Sequence, residues 1–242
     1  MARGVVPLMG LETALAAICG GAGPRRRAGL AARVPRCRRA TARLLDEAEG
    51  KALLAAAGVA VPRAVTAPNL AALDVGGLAP PFALKGLGFA HKTEAGAVRL
   101  GLTTLAGQAE MPGATGYLAE EMVTGAVAEV LLGLRRDPVY GVTLTLGMGG
   151  VTAEVLADTV TLVCPVAGRE VAAALRRLRL WPLAGWLSRA AARRCRRRLA
   201  RWRVRLGALM LADASLEEIE INPVMLRADG AVAVDALVRR AE

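Results

Sequence analysis

The chain has 242 residues, enough for one large domain or two small ones around a buried core. It is 54% hydrophobic and 22% charged with a formal net charge of +11, a composition that excludes an intrinsically disordered chain. No apolar run reaches the roughly 20 residues of a membrane helix, and the 4 cysteines lack a CxxC pair, which excludes a zinc ribbon or a small disulfide scaffold. We therefore expect a globular cytoplasmic protein without a membrane segment.

Arginine supplies nearly all of the positive charge. Of the 32 basic residues, 29 are arginine and only Lys51, Lys85 and Lys92 are lysine. A GC-rich coding sequence produces such a bias as readily as a functional basic surface does. The positions of these residues therefore carry more information than their number.

Residues 1–43 contain a single acidic residue, Glu12, and we predict that they form an N-terminal basic extension. A signal peptide is disfavoured because Glu12 interrupts the apolar stretch and arginines stand where a cleavage site would lie. An organellar transit peptide stays open as an alternative.

The middle of the chain alternates helical and strand patterns. Periodicity predicts a helix over 44–58 that Gly58 ends, a buried strand over 82–85, and a second strand over 97–103. We predict that strands at 117–123 and 128–135 are joined by a turn at Thr124–Gly125, and that a further strand covers 142–146.

The C-terminal part continues this mixture. A strand and two helices are expected up to about residue 212, followed by strands at 217–222 and 231–238 around a turn at 228–230. Mixed strands and helices joined by hairpin turns predict an α+β fold.

An arginine-rich run between Arg189 and Arg205 admits two interpretations. Such a run can bind nucleic acid by neutralising phosphates, but its only aromatic residue for base stacking is Trp202. The alternative is a solvated helix face whose opposite side packs inward through Leu199, Trp202, Leu206 and Leu209. We favour the solvated helix.

Lys85 and the loop after it form the first candidate site. Lys85 ends an apolar segment, PPFALK, and a buried lysine is rare unless it is paired. It can serve as a point charge for nucleotide phosphates, or simply extend its ammonium to solvent at a strand edge.

The glycine-rich loop over 86–98 contains His91, the only histidine of the chain, beside Lys92. Glycines let the backbone approach anionic oxygens, and histidine can accept a phosphoryl group or act as a general base. The alternative is a histidine that only caps the local backbone.

The strand EIEINP supplies the second candidate site. Alternation places Glu218, Glu220 and Asn222 on one face, and the following hairpin brings Asp235 opposite Asn222. Carboxylate and amide oxygens suit a hard cation such as Mg²⁺ held together with nucleotide phosphates.

Taken in order, Lys85, the HKTE loop and the EINP strand resemble the ATP-grasp domain of NDP-forming acyl-CoA synthetases, relatives of the succinyl-CoA synthetase β subunit. The segments GYLAEEMVTGAVAEVLLGLRRDPVYG, LTLGMGGVTAEVLAD and EIEINPVMLRADGAVAVDALV extend the resemblance over roughly 44–238. It implies an ATP-grasp fold over 44–240, with two α/β lobes clasping a nucleotide and a small lobe at about 78–125. Residues 4–27 faintly resemble the end of a preceding ligase–CoA domain.

The resemblance also implies roles for individual residues. Lys85 would contact nucleotide phosphates, Glu121 and the Val123 backbone would meet adenine, and Glu129 would be a further nucleotide contact. Asn222 and Asp235 would hold Mg²⁺ with Glu220 beside them, and His91 would relay a phosphoryl group to ADP. A separately encoded CoA-binding and ligase subunit, of the α type, would be the partner.

Three departures from the family pattern leave alternatives open. Ala97 replaces a glycine and is expected to obstruct phosphate approach, the segment between Gly101 and Tyr117 is short and lacks a helix, and residues 181–194 are unusually basic. A degenerate or regulatory nucleotide-binding protein is therefore a second hypothesis, and a basic nucleic-acid binder is a third.

Overall fold

The computed structural model describes residues 42–89, 92, 95–150, 158–179 and 189–241. The predicted basic extension, apart from residues 42 and 43, lies outside the described residues, as do His91 and residues 181–188 of the basic segment. No helix in the described part of the chain is long and apolar enough to cross a bilayer.

Three α-helices and eleven strands occupy the described residues. The helices are α1 (Glu47–Ala56), α2 (Gly168–Arg177) and α3 (Arg189–Ala212). The strands are β1 (Ala42–Leu44), β2 (Ala64–Ala67), β3 (Phe82–Leu87), β4 (Val98–Leu102), β5 (Gly116–Glu121), β6 (Ala128–Asp137), β7 (Gly141–Met148), β8 (Thr159–Val163), β9 (Leu216–Arg227), β10 (Gly230–Ala233) and β11 (Leu237–Ala241).

These strands form two antiparallel sheets. The larger sheet has the order β1-β11-β9-β6-β7-β8, and β10 pairs with the C-terminal end of β9. The smaller sheet has the order β2-β5-β3-β4. The smaller sheet includes residues 64–67 and so begins earlier than the expected small-lobe boundary at residue 78. Two sheets with interspersed helices confirm the expected α+β class.

Helix α1 forms where its sequence pattern predicts. The Asp46 carboxylate accepts a hydrogen bond from the Glu49 amide (2.8 Å), and the Glu49 carboxylate accepts one from the Asp46 amide (3.0 Å), which satisfies two free donors at the helix start. The helix ends before Gly58, whose φ of +73° favours glycine. The buried Leu54 packs into the core of the larger sheet, so α1 is fixed against that sheet.

The two strands on either side of the turn predicted at Thr124–Gly125 do not pair, because β5 belongs to the smaller sheet and β6 to the larger one. The backbone hydrogen bonds show why. The Met122 amide donates to the carbonyl of Pro81, which directly precedes β3 of the smaller sheet (3.0 Å), and the Val127 amide donates to the carbonyl of Leu226 in β9 (2.9 Å). Each end of the segment is thus bonded to a different sheet. The predicted strand over 231–238 is likewise two strands, β10 and β11.

Of two expectations about the smaller sheet, the structure confirms the first and not the second. Residues 103–115 form turns and no helix, as predicted. The expected obstruction at Ala97 is not found, because its side chain is completely buried with Phe82, Leu84 and Tyr117 in the core of the smaller sheet. A side chain with no exposed surface does not block a ligand.

Helix α3 confirms the solvated-face interpretation of the arginine run. Leu199, Trp202 and Leu206 are buried in the core of the larger sheet and Leu209 packs against it, while Arg197 and Arg201 are exposed. The apolar stripe explains the helix without a nucleic acid.

Arg136 ties β6 to the end of α3, and its removal has a defined cost. The buried guanidinium donates to the carbonyls of Met210 in α3, of Asp213 just after it (3.1 Å) and of Leu216 in β9 (3.1 Å), so one cation bonds three oxygens around the C-terminal end of the helix. We expect Arg136→Met to lower the free energy of unfolding by about 2–3 kcal/mol because buried charge-assisted hydrogen bonds are lost. Urea denaturation measures this, with the exposed neighbour Arg135→Met as control; equal losses in both variants would contradict the capping role.

Candidate nucleotide site

All three lysines of the chain meet at one carboxylate. Glu47, in the first turn of α1, is in contact with the ammonium groups of Lys51 (2.8 Å), Lys85 (2.6 Å) and Lys92 (2.5 Å). Two further acids complete the group: Glu120 binds Lys85 (2.7 Å) and Lys51, and Asp235 binds Lys92 (2.6 Å). We call these six residues the charge cluster.

Local structure explains how the charge cluster assembles. Glu47 and Lys51 are four residues apart on α1 and so lie on the same helix face. In the smaller sheet, Lys85 pairs with Leu118 while Glu120 pairs with Ala83, which makes Lys85 and Glu120 diagonal neighbours on one face. The sheet supplies one part of the cluster and α1 the other.

The cluster is buried and its charges balance. Glu47, Lys51, Lys85 and Glu120 are each at most 5% exposed, so each charge depends on its partners rather than on water. Three ammonium groups face three carboxylates. A buried arrangement of this kind tolerates the loss of one member poorly, because the remaining charges are left unpaired.

Burial and the neighbouring charges shift the pKa values in opposite directions. Burial raises the pKa of Glu47, but Lys51, Lys85 and Lys92 outweigh it and lower that pKa to about 2. Burial lowers the pKa of Lys85, whereas Glu47, Glu120 and Asp235 raise it above its ordinary value. Burial and the neighbouring Lys85 lower the pKa of Lys51. Lys85 therefore keeps its positive charge throughout the physiological range.

The low pKa of Glu47 predicts a pH dependence of stability. A carboxylate whose pKa falls from 4.5 in the unfolded chain to about 2 stabilises the fold above pH 4.5 and loses this contribution as the pH drops towards 2. The shift corresponds to about 3 kcal/mol. We expect the difference in unfolding free energy between wild type and Glu47→Gln to shrink over that range in urea titrations. A difference independent of pH would contradict the assignment.

The structure places the predicted metal-binding residues in register. Asn222 lies in β9, and Asp235 lies in the link between β10 and β11. The paired residues on either side, Ala233 with Val224 and Leu237 with Glu220, place Asp235 opposite Asn222. The Asn222 side-chain oxygen accepts a hydrogen bond from the Gly150 amide (3.0 Å).

A carboxylate and an amide are the donor set that Mg²⁺ takes when phosphates and water supply its remaining ligands. Asp235 already binds a cation, the Lys92 ammonium, which shows that its oxygen lies where positive charge is held. Within the described residues no group of three or more His, Cys, Asp or Glu side chains could hold a metal. A two-ligand site completed by a nucleotide fits Asn222 and Asp235.

The predicted nucleotide contacts lie beside the segment that joins the sheets. Glu121, at the end of β5, accepts hydrogen bonds from the Ala79 amide (3.0 Å) and from Arg63 (3.2 Å). Val123 is half-buried in the joining segment. The Glu129 carboxylate lies against Gly150, whose φ of +75° favours glycine.

Sequence reasoning missed Glu47, Lys51 and Glu120. A signal for them existed, because lysine is scarce in this chain and Lys51 follows Glu47 by one helical turn. The family resemblance points to Glu121 and not to its neighbour Glu120, although Glu120 is the buried member of the pair.

Comparison with known proteins shows the family of the chain. The family model of the ATP-grasp domain matches residues 36–239. The β subunit of ADP-forming acetate–CoA ligase I from Pyrococcus furiosus is 30% identical over 80% of this chain and 90% of its own length. A trans-feruloyl-CoA synthase is 31% identical over 81% of this chain, but the chain spans only 30% of that longer protein.

Solved structures show the same fold. An acetyl-coenzyme A synthetase from Candidatus Korarchaeum cryptofilum, in complex with coenzyme A and Ca-AMPCP, superposes with a TM-score of 0.69 at 22% identity and covers 82% of this chain and 93% of its own. A Pyrococcus horikoshii protein gives a TM-score of 0.69 at 23% identity, with coverage of 82% and 92%. On the match of the family model and these relatives, the chain belongs to the ATP-grasp domain family and is homologous to the β subunits of ADP-forming acyl-CoA synthetases.

Proposed function

We propose that the chain is the nucleotide-binding, phosphoryl-transferring subunit of an ADP-forming acyl-CoA synthetase. The observation that carries this proposal is the placement of Lys85 and Asp235 in one charge cluster between the two sheets, in a chain 30% identical to such a β subunit. The overall reaction is acyl-CoA + ADP + phosphate ⇌ acid + CoA + ATP, by way of an acyl phosphate and a phosphohistidine.

The residues divide the work of binding. Lys85 neutralises charge on the nucleotide phosphates, and Glu121 and the Val123 backbone meet the adenine at the joining segment. Glu129, beside Gly150, is a further nucleotide contact. Asn222 and Asp235, with Glu220 nearby, would hold Mg²⁺, which when bound offsets phosphate charge during transfer.

His91 would carry the phosphoryl group. In the direction of ATP synthesis, a terminal ADP oxygen forms a bond to the phosphorus of phosphohistidine, the nitrogen–phosphorus bond breaks, and the imidazole takes up a proton. Such a transfer depends mainly on positioning and on charge stabilisation. Both of these tasks suit the charge cluster.

A partner subunit would complete the synthetase. The Pyrococcus furiosus relative is named as a β subunit, and the trans-feruloyl-CoA synthase is more than three times longer than the part that matches this chain. We propose a separately encoded partner of the α type that binds CoA and carries the ligase step.

Phosphoryl labelling tests the proposed function. With γ-labelled ATP, Mg²⁺ and the partner, the wild-type chain should become labelled, and the label should be lost on acid treatment, as for a phosphohistidine. The His91→Ala variant should stay unlabelled because the acceptor nitrogen is gone. Equal labelling of both proteins would overturn the relay role, and ADP binding without any labelling would indicate a nucleotide-binding protein without turnover.

A further inference from the structure

Lys85 has no hydrogen-bond donor left for a phosphate in this structure. An ammonium group carries three donors, and those of Lys85 meet Glu47 (2.6 Å), Glu120 (2.7 Å) and the Val234 carbonyl (3.0 Å). The lysine is also 5% exposed. A nucleotide phosphate can therefore contact Lys85 only if one of these acceptors is given up.

The contacts that hold Lys85 join the two sheets. Lys85 and Glu120 stand on β3 and β5 of the smaller sheet, whereas Glu47 stands on α1, which packs on the larger sheet. Val234 lies between β10 and β11 of the larger sheet. Movement of Lys85 towards a phosphate thus changes the ion pairs between the sheets.

Lys51 is the cation that remains when Lys85 moves. It contacts both Glu47 (2.8 Å) and Glu120, the same two carboxylates that hold Lys85. It lies on α1 within the buried part of the cluster. Without it, once Lys85 has moved, Glu120 would have no positive partner in the cluster, and Glu47 would keep only Lys92, which is less buried.

From this arrangement we infer that Lys51 is a positioning residue that neutralises Glu47 and Glu120 so that Lys85 is free to bind the nucleotide phosphates, and that Glu120 restrains Lys85 until they arrive. The inference rests on the proposed function. Lys51 itself makes no contact with the ligand. Glu120 and the phosphates compete for the same ammonium group.

Opposite effects of two substitutions follow from this inference. Lys51→Met leaves Lys85 as the only counter-charge shared by Glu47 and Glu120, so ADP affinity should fall about tenfold. Glu120→Gln removes a charged acceptor from Lys85, so ADP affinity should rise about tenfold. Both variants lose a buried partner and should melt at lower temperature. A merely structural role would weaken binding in both.

Calorimetric titration of the full chain with ADP and with adenosine tests the inference. Adenosine has no phosphate, so its affinity should be unchanged in both variants, and Lys51→Arg, which keeps the charge, should restore most of the ADP affinity. Controls that remove one exposed charge of each sign are Arg43→Met and Asp229→Asn, both in surface ion pairs outside the cluster.

The outcomes separate the inference from the proposed function. If the wild-type chain binds ADP but the two variants change ADP affinity in the same direction, or change adenosine affinity equally, the positioning role of Lys51 is overturned and the proposed function stands. If the wild-type chain does not bind ADP, both are overturned.

Discussion

Replacement of Lys85 by methionine is expected to weaken ADP binding by roughly 10- to 100-fold. A charge-assisted hydrogen bond from a buried donor contributes about 1.5–3 kcal/mol, and methionine keeps the length of the side chain without its charge. The pKa of Lys85 is raised, so the wild-type residue is charged at every pH where the titration is practical. Isothermal titration of both proteins measures the change.

Stability must be followed in the same Lys85→Met samples. The substitution leaves two ammonium groups opposite three carboxylates, so the melting temperature should also fall. Titrations are therefore made well below the melting temperature of each protein, with Arg43→Met, which removes an exposed cation outside the cluster, as the matched control. Unchanged ADP affinity in folded Lys85→Met would remove Lys85 from the phosphate site.

Glu47→Gln is expected to have the largest effect on folding. Glu47 faces three lysines, and its neutralisation leaves three buried ammonium groups with two carboxylates. Breaking a buried ionic arrangement in this way costs about 3–5 kcal/mol. For a domain of this size, we expect the melting temperature to fall by about 10 °C.

Two variants make the Glu47 result specific. Glu49→Gln alters an exposed carboxylate on the same helix and should lower stability by less than about 1 kcal/mol through its cap and its surface ion pair. The double variant Glu47→Gln/Lys92→Met restores the balance of charge and should recover part of the loss. If Glu47→Gln is no less stable than Glu49→Gln, the cluster is not a structural centre.

Local sequence patterns predict the elements of this fold better than their partners. The cap at Asp46 and the glycine at 58 set the two ends of α1 through local sequence alone. The stripe of Leu199, Trp202 and Leu206 likewise marks the buried face of α3. The link between β5 and β6 carries the same turn signal as a hairpin. Only the long-range bonds of Met122 and Val127 send the two strands into different sheets.

In the candidate site, too, local features can be predicted from the sequence whereas long-range contacts cannot. The alternation of Glu220 and Asn222 and the turn before Asp235 can be read locally, and the pairing of β9 with β10 and β11 places them as expected. The approach of Glu47 to Lys85 joins residues 38 positions apart, and that of Lys51 to Glu120 joins residues 69 apart. No local period encodes such contacts, so the charge cluster emerges only from the packing of α1 against both sheets.

Equilibrium binding of ADP to the wild-type chain, with and without Mg²⁺, tests whether the charge cluster and the Asn222–Asp235 pair form a nucleotide site. We expect one ADP per chain, bound more tightly when Mg²⁺ is present because Asp235 and Asn222 would share the cation with the phosphates. We also expect Asp235→Asn to reduce the gain in ADP affinity that Mg²⁺ produces. A chain that binds no ADP at millimolar concentration, with or without Mg²⁺, would contradict the account.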